Sequence, residues 1–343
     1  MKEISIVHLG PGKVGKTFIH YFGDNKKEIG EKYNVKLNFV GIFDSNRGYI
    51  NYKGIDLTNY EKKMNRDDNC MKIIKNIKPP FILVDTTASS KTHETIKMGL
   101  QAGGFAVMSN KKPMSENIEI FDYLNTNKTY FETTVGAGLP IISTIKELLD
   151  TGDKIERIQG CFSGTLGYIF SLLQNGVNFS EAVVKAKNNG YTEPDPRDDL
   201  SGMDVARKGL ILNRILGGRL SLEDIKLPVL YPPEMNKLSV DDFMKNIVCL
   251  DDDYINLNKE EKEKKETIRY VVDVDKEKCL VEMKRVDLSS DIGGLNGPDN
   301  ICVIKTRRYD KYPLVVKGPG AGLGVTATGV LGDLIKAVKI MSI

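Results

Sequence analysis

Residues 190–210, GYTEPDPRDDLSGMDVARKGL, set a dense group of charged side chains and two prolines against an apolar helical pattern. Met203, Ala206, Leu210 and Ile211 are spaced for one buried helix face. Asp204 and Lys208 stand four residues apart on the same predicted helix. Carboxylates beside a core suit recognition of a cation through charge-assisted hydrogen bonds. A lysine there can accept a proton when burial or a neighbouring cation brings its pKa toward the working pH. The plainer alternative is an exposed i,i+4 ion pair worth ~0.3–0.5 kcal/mol, which leaves the apolar neighbours unexplained. Asp195, Arg197 and Asp198 read as surface charge, or as ion pairs that shape the loop.

A second constellation lies near the start. LGPGKVGKTF supplies Gly10, Gly12 and Gly15 as G-x-G-x-x-G directly after an apolar run, with Lys13 and Val14 opening the next helix. The first glycine permits the tight turn, the second lets backbone approach a pyrophosphate, and the third lets helix pack on strand. The pyrophosphate would sit on free N–H groups at the positive helix end. Alone the pattern is weak; its strand–helix setting makes it a nucleotide-binding expectation. Asp44 ends the second apolar run, where an acid holds the ribose hydroxyls of NAD. Its distance from Gly15 is attributed to an insertion, DNKKEIGEKYNV. Arg47, with Lys53 assisting, could instead meet the 2′-phosphate of NADP, so the choice between NAD and NADP stays open, and Asp44 could also simply cap its loop.

These sites need elements to position them. ISIVHLG (4–10), KLNFVGIFD (36–44), FILVDTTAS (81–89), FAVMSN (105–110) and TYFETTVG (129–136) read as buried strands. Helical patterns at 14–22, 68–77, 92–102 and 115–126 alternate with them, and 45–67 reads as a polar connection. That rhythm predicts a doubly wound α/β unit with a parallel sheet. After Pro140 a helix (141–149), a strand (155–165) and helices at 166–175, 180–189 and 199–216 follow. From 267 onward strands return in hairpin order (267–275, 278–287, 301–309 and 313–318), before a final helix opened by glycines. This part predicts an α+β unit with a largely antiparallel sheet.

Composition narrows the partners. The chain has 343 residues, enough for two cores, with 41% hydrophobic and 28% charged residues and a net charge of +3. The near-balanced, dispersed charge argues against nucleic acid or a membrane surface as partner. The charged run KEEKEKKE (259–266) reads as a solvated helix face or an exposed connection. Five widely spaced cysteines without a CxxC pair fit a reducing cytoplasm, and three histidines confined to the first third give no transition-metal spacing. The start of the chain does not read as a signal peptide, and no apolar run approaches the ~18 residues of a membrane helix.

The glycine turn together with SNKK (109–112), ETTVGAGLPI (132–141), FSGTLGYIF (162–170), GYTEPDPRDDLSGMDVARK (190–208) and GPGAGLGVTATGVLGDLI (318–335) resembles homoserine dehydrogenase, in its short form without a regulatory domain. The likeness spans nearly the whole chain. It implies reversible, NAD(P)-linked conversion of homoserine to aspartate semialdehyde in the aspartate route to threonine and methionine. It also implies a Rossmann-type nucleotide domain (1–137 with 319–343), a catalytic and dimerisation domain (138–318), and a homodimer. By the same resemblance Glu193, Asp199 and Asp204 serve the substrate, with Thr165, Gly164 and Tyr191 around them. Lys208 becomes the main proton-transfer group and Lys111 a second catalytic lysine beside the cofactor. Thr86 and Thr87, near the nicotinamide, and Gly320 and Thr326, near the C-terminus, join the cofactor residues. Many relatives carry Asn-Thr at 86–87, which leaves a contact from Thr86 open. In relatives the backbone carbonyls matching Glu132, Val135, Ala137 and Leu139 hold a sodium ion, and carbonyl oxygens suit that hard cation; a tight hinge needing no ion is the alternative. Two other readings are an acyl-forming semialdehyde dehydrogenase, for which Cys161 would be the nucleophile, and a nucleotide-sensing protein without activity.

Overall fold

The computed structural model describes residues 1–262 and 265–343, without the side chains of 258–262, so the expected charged helix face at 259–266 falls mostly outside the described residues. The chain divides into two units, Met1–Gly138 with Gly322–Ile343, and Leu139–Ala321. The first unit contains β1 (Lys2–Leu9), α1 (Lys13–Tyr33), β2 (Val35–Phe43), β3 (Gly48–Ile50), α2 (Tyr60–Lys63), α3 (Cys70–Ile74), β4 (Phe81–Asp85), α4 (Thr92–Gln101), β5 (Phe105–Met108), α5 (Lys112–Ser115), α6 (Ile118–Leu124) and β6 (Thr129–Tyr130). The second contains α7 (Ile141–Asp150), β7 (Ile155–Cys161), α8 (Gly164–Gln174), α9 (Phe179–Asn188), α10 (Pro196–Leu200), α11 (Met203–Ile215), α12 (Val240–Asn246), α13 (Asp251–Lys262), β8 (Glu266–Val274), β9 (Cys279–Asp287), β10 (Asp299–Thr306) and β11 (Leu314–Pro319). The last helix, α14 (Leu323–Ser342), returns to the first unit.

In the first unit the strand order is β3-β2-β1-β4-β5-β6. All neighbours pair in parallel except the short edge strand β3, which runs antiparallel to β2. The strands read as continuous apolar runs because helices cover both faces of a parallel sheet. Phe18, Phe22, Phe39, Val84, Val107 and Leu334 are fully or almost fully buried in that core. The order in which strands are added reverses between β1 and β4, so the carboxyl ends of these two parallel strands form the crevice where ligands bind in open α/β sheets. In the second unit the order is β11-β10-β7-β8-β9, antiparallel throughout.

Several elements differ from the sequence reading. Helix α1 runs on to Tyr33 instead of ending near residue 22, so most of the segment DNKKEIGEKYNV is helical. Gly23 and Gly30 weaken local propensity, but Ile29 is buried and packing carries the helix onward; Asn34 ends it in the left-handed region at φ 52°. The connection 45–67 contains β3 and α2, with Tyr60 buried. The strand expected at 129–136 pairs only over Thr129–Tyr130, then curls into a 3-10 turn at Glu132–Thr134. The single helix expected at 199–216 is two, separated by Gly202 at φ 72°. A Cβ at Gly202 would lie 1.9 Å from the Tyr270 hydroxyl. Helix α12 has no counterpart in the sequence reading, and α13 begins at Asp251, eight residues before the charged run read as a solvated face.

Beneath the glycine turn the core contains an imidazole. His8 is fully buried, edge-on to Phe18 and Phe39. Burial pushes its pKa down to about 3. An unfolded histidine takes up its proton near pH ~6.5, whereas the folded one stays neutral down to about 3. Between those values the unfolded chain binds the extra proton, so stability falls with decreasing pH, by at most ~1.4 kcal/mol per unit. The melting temperature of His8→Phe relative to the wild type should therefore rise steadily as pH drops from 7 to 4.5. A constant difference would show that His8 titrates normally.

Candidate active site

The crevice of the first unit is a cavity of about 750 Å³ lined by Gly10, Gly12, Lys16, Asp44, Arg47, Glu61, Thr87 and Lys91, among others. Its floor is the glycine turn. The Gly10 N–H donates to the Phe43 carbonyl at 2.8 Å, and the Gly10 carbonyl accepts the Gly12 N–H at 2.8 Å. A Cβ on Gly15 would fall 2.3 Å from the Gly10 carbonyl oxygen, so the third glycine is required by contact. Helix α1 begins at Lys13 after Gly12 and has neither a side-chain cap nor an acidic residue in its first turn. The N–H groups of Lys13, Val14 and Gly15 thus sit at a positive helix end without a side-chain partner of their own, an arrangement suited to an anion.

At the carboxyl end of β2, Asp44 and Arg47 are paired. The guanidinium lies 3.0 Å from Asp44 Oδ2, and the N–H groups of Asn46 and Arg47 donate to Oδ1 at 2.8 and 2.6 Å. Burial would raise the Asp44 carboxyl, but these donors outweigh it and hold the group below the ordinary carboxylate range. Lys16 pairs with Glu61 at 2.8 Å on the same cavity wall. Lys16, Glu61 and Lys91 were not singled out from sequence; only the fold brings them to the glycine turn.

Two further residues missed by sequence reasoning organise the loop after β4. Asp85 is buried at the end of that strand and accepts from Thr92 Oγ1 at 2.6 Å, the Thr87 N–H at 2.9 Å and Asn110 Nδ2 at 3.1 Å. Burial raises its pKa. Asn110 also donates to the Ser89 carbonyl at 2.6 Å. A carboxylate ending the run FILVD was the available signal. Lys111 follows Asn110 at the start of α5, so this pair sets the backbone from which Lys111 extends. Thr86 does not line the cavity, whereas Thr87 does. Thr326, in α14, donates to the Gly322 carbonyl at 2.9 Å.

The second unit gathers the carboxylates. Ser163 caps α8 by accepting the Leu166 N–H at 3.2 Å. The Thr165 hydroxyl lies 2.6 Å from the Tyr191 carbonyl and 2.8 Å from Asp199 Oδ1, and the other Asp199 oxygen accepts the Glu193 N–H at 2.8 Å. Burial raises the Asp199 carboxyl, the hydrogen bonds oppose this, and the charges of Glu193 and Asp204 push it up further. Glu193 and Tyr191 are exposed; Tyr191 packs on the Tyr168 ring with centroids 4.8 Å apart. Gly164 and Gly320 are buried in this unit, and a Cβ on Gly320 would strike the Asn300 side chain.

Lys208 completes the group. Its side chain is 10% exposed, with Nζ 2.8 Å from Asp204 Oδ2 and 2.6 Å from the Phe162 carbonyl oxygen, at the start of the segment that opens α8. Asp195 caps α10 and pairs with Arg197, whose guanidinium also donates to the Met235 and Leu238 carbonyls. Those two charges shape the loop. Cys161 is buried and its thiol is pushed up to about 12 by burial, so it is neither exposed nor ionised as a nucleophile requires.

In the first unit, residues 132–138 curl, with Gly136 at φ 78° and Ala137 at φ 53°. The Glu132 carboxylate is buried and lies 3.2 Å from Lys336 Nζ; the Glu132 N–H donates to Asp333 at 2.8 Å. No group of three or more His, Cys, Asp or Glu side chains placed to hold a metal occurs among the described residues, and no described helix is long and apolar enough to cross a membrane.

Comparison with known proteins identifies the family. The family model for homoserine dehydrogenase matches residues 140–335. A maize chloroplastic bifunctional aspartokinase/homoserine dehydrogenase is 39% identical over 96% of the chain, which spans 38% of that protein's length. The homoserine dehydrogenase of Saccharomyces cerevisiae is 36% identical over 98% of this chain and 99% of its own. A hyperthermophilic archaeal homoserine dehydrogenase, solved in complex with NADPH, superposes with a TM-score of 0.73 at 27% identity, covering 98% of this chain and 97% of that one. With the family model matched over more than half of its residues and a relative 36% identical along nearly the whole of both chains, the chain belongs to the homoserine dehydrogenase family.

Proposed function

We propose that this chain is an NAD(P)-dependent oxidoreductase that interconverts homoserine and aspartate semialdehyde in the aspartate route to threonine and methionine. The observation that carries the reading is Lys208: a buried ammonium fixed between Asp204 and a main-chain carbonyl, within a group of carboxylates that repel one another. Homoserine brings an ammonium, and Glu193 and Asp199 receive it through charge-assisted hydrogen bonds that relieve this repulsion. Thr165 and the Tyr191 carbonyl hold Asp199 and its loop in place, and Gly164 lets the start of α8 pack closely.

When bound, the nicotinamide cofactor accepts the hydride from the alcohol carbon. In its neutral form Lys208 takes the hydroxyl proton at Nζ; in the reverse direction its ammonium donates to the aldehyde oxygen as charge develops there. Asp204 orients that nitrogen. Lys111, at the carboxyl end of β5, supplies supporting positive charge. The glycine turn (Gly10, Gly12) and the opening of α1 (Lys13, Val14, Gly15) would hold the pyrophosphate, with Thr87 and Thr326 of the same unit as further residues toward the cofactor. Asp44 is taken up by two main-chain N–H groups as well as by Arg47, whereas the more exposed guanidinium gives Asp44 only two of its five N–H donors; this favours the 2′-phosphate of NADP over the ribose hydroxyls of NAD.

A sodium ion at the carbonyls of Glu132, Val135, Ala137 and Leu139 is supported by the two consecutive left-handed residues that curl this backbone. The Glu132 and Leu139 oxygens each accept one N–H and retain a second lone pair. A homodimer through the sheet of the second unit is supported by exposed Leu280 and Val315, which stand in one row across a single face of that sheet.

Purified protein should reduce NADP with homoserine, read as rising absorbance at 340 nm. Lys208→Ala should lower turnover by about 10²–10⁴-fold while NADPH binding persists. No absorbance change with wild-type protein would favour a nucleotide sensor; a Lys208→Ala effect confined to the Michaelis constant would assign the lysine to binding. Arg47→Ala should weaken NADP several-fold more than NAD, whereas equal losses would place Arg47 away from the phosphate.

A further inference from the structure

The Thr86 hydroxyl has one proton and two nearby carbonyl acceptors, Gly10 at 2.6 Å and Leu9 at 3.3 Å. It also lies 2.8 Å from His8 Nε2. With its proton on the Gly10 carbonyl, the hydroxyl oxygen must accept from His8. That fixes the imidazole as the Nε2–H tautomer and leaves Nδ1 an unprotonated acceptor. Nδ1 is buried and has no hydrogen-bond partner among the described residues. An orphaned buried acceptor is costly, and a phenylalanine at position 8 would avoid it in this ring of aromatic neighbours. The donor at Nε2 is what the histidine supplies in return.

We propose that His8, acting through the Thr86 hydroxyl, is a positioning residue for the glycine turn that receives the dinucleotide. The inference rests on the nucleotide-binding reading of that turn. Gly10 adopts φ 87°, and its carbonyl is gripped by Gly12 N–H from one side and Thr86 from beneath. The third glycine closes on the same pair: a Cβ at Gly15 would come 2.7 Å from Thr86 Oγ1 and 2.9 Å from His8 Cε1. The Thr86 hydroxyl is thus turned under the turn, and Thr86 serves cofactor binding indirectly. Burial holds the imidazole neutral down to about 3, so the support does not switch with physiological pH.

The test is NADPH affinity of the full chain by fluorescence titration, with melting temperature at pH 7.5 and both Michaelis constants. His8→Phe and Thr86→Val should each weaken NADPH by about 3–10-fold, the loss of one hydrogen bond. Thr86→Ser, which keeps the hydroxyl, should stay within about twofold of the wild type. His8→Phe should melt at or above the wild-type temperature, since it removes the orphaned nitrogen, and should raise the Michaelis constant for NADPH but not that for homoserine. Undiminished NADPH affinity in both variants would overturn the proposal. So would a Thr86→Ser loss equal to that of Thr86→Val, or parallel losses of affinity and melting temperature in His8→Phe. Should His8→Phe fail to fold, the Thr86 pair decides alone. Wild-type protein that does not bind NADPH would overturn the nucleotide reading itself.

Discussion

Lys208 lies almost out of water with its ammonium between a carboxylate and a main-chain carbonyl, and the second unit is arranged around that contact. A buried ammonium is tolerated only when paired and hydrogen-bonded. Asp204, one helical turn away on α11, supplies the charge, and Phe162 supplies the carbonyl because β7 ends there before Ser163 caps α8. The same cap presents Thr165 to Asp199, and Asp199 in turn holds the Glu193 backbone. A strand end, a helix start and an acidic loop are thereby tied to one lysine. The surplus of carboxylate over ammonium that results matches a substrate carrying an ammonium.

The first unit meets its requirement by backbone rather than by side-chain charge. An uncapped helix opening and a carbonyl held down by Thr86 form a surface for an anion, and the one carboxylate at the expected ribose position is already paired with Arg47. Asp85 and Asn110 do for the loops after β4 and β5 what Thr86 does for the glycine turn. Each fixes a loop at the carboxyl end of the sheet by a buried polar contact.

Much of this was legible because it is local. A glycine pattern between an apolar run and a helix carries its own geometry, and the alternation of strands and helices names a parallel sheet. Asp204 and Lys208 share a helix face by spacing alone. What was not legible depends on partners distant in sequence. The length of α1 follows from packing that overrides two glycines. The break at Gly202 follows from Tyr270, 68 positions later. The Asp44–Arg47 pairing is a choice among rotamers that spacing does not make, and His8 reads as one more residue in an apolar run until Thr86 is placed beside it. The helices between 240 and 262 lack the apolar periodicity that would announce them; α13 opens with three acids.

The central claim is that the carboxylates of the second unit recognise an ammonium while Lys208 handles the alcohol proton. It is tested most directly by comparing homoserine with 4-hydroxybutyrate, which keeps the alcohol and the carboxylate but lacks the ammonium. Leaving Asp199 and Glu193 without their cation should lower kcat/KM for the analogue by about 100-fold or more. A kcat/KM within about threefold of that for homoserine, where RT makes the difference under ~0.7 kcal/mol, would contradict the account.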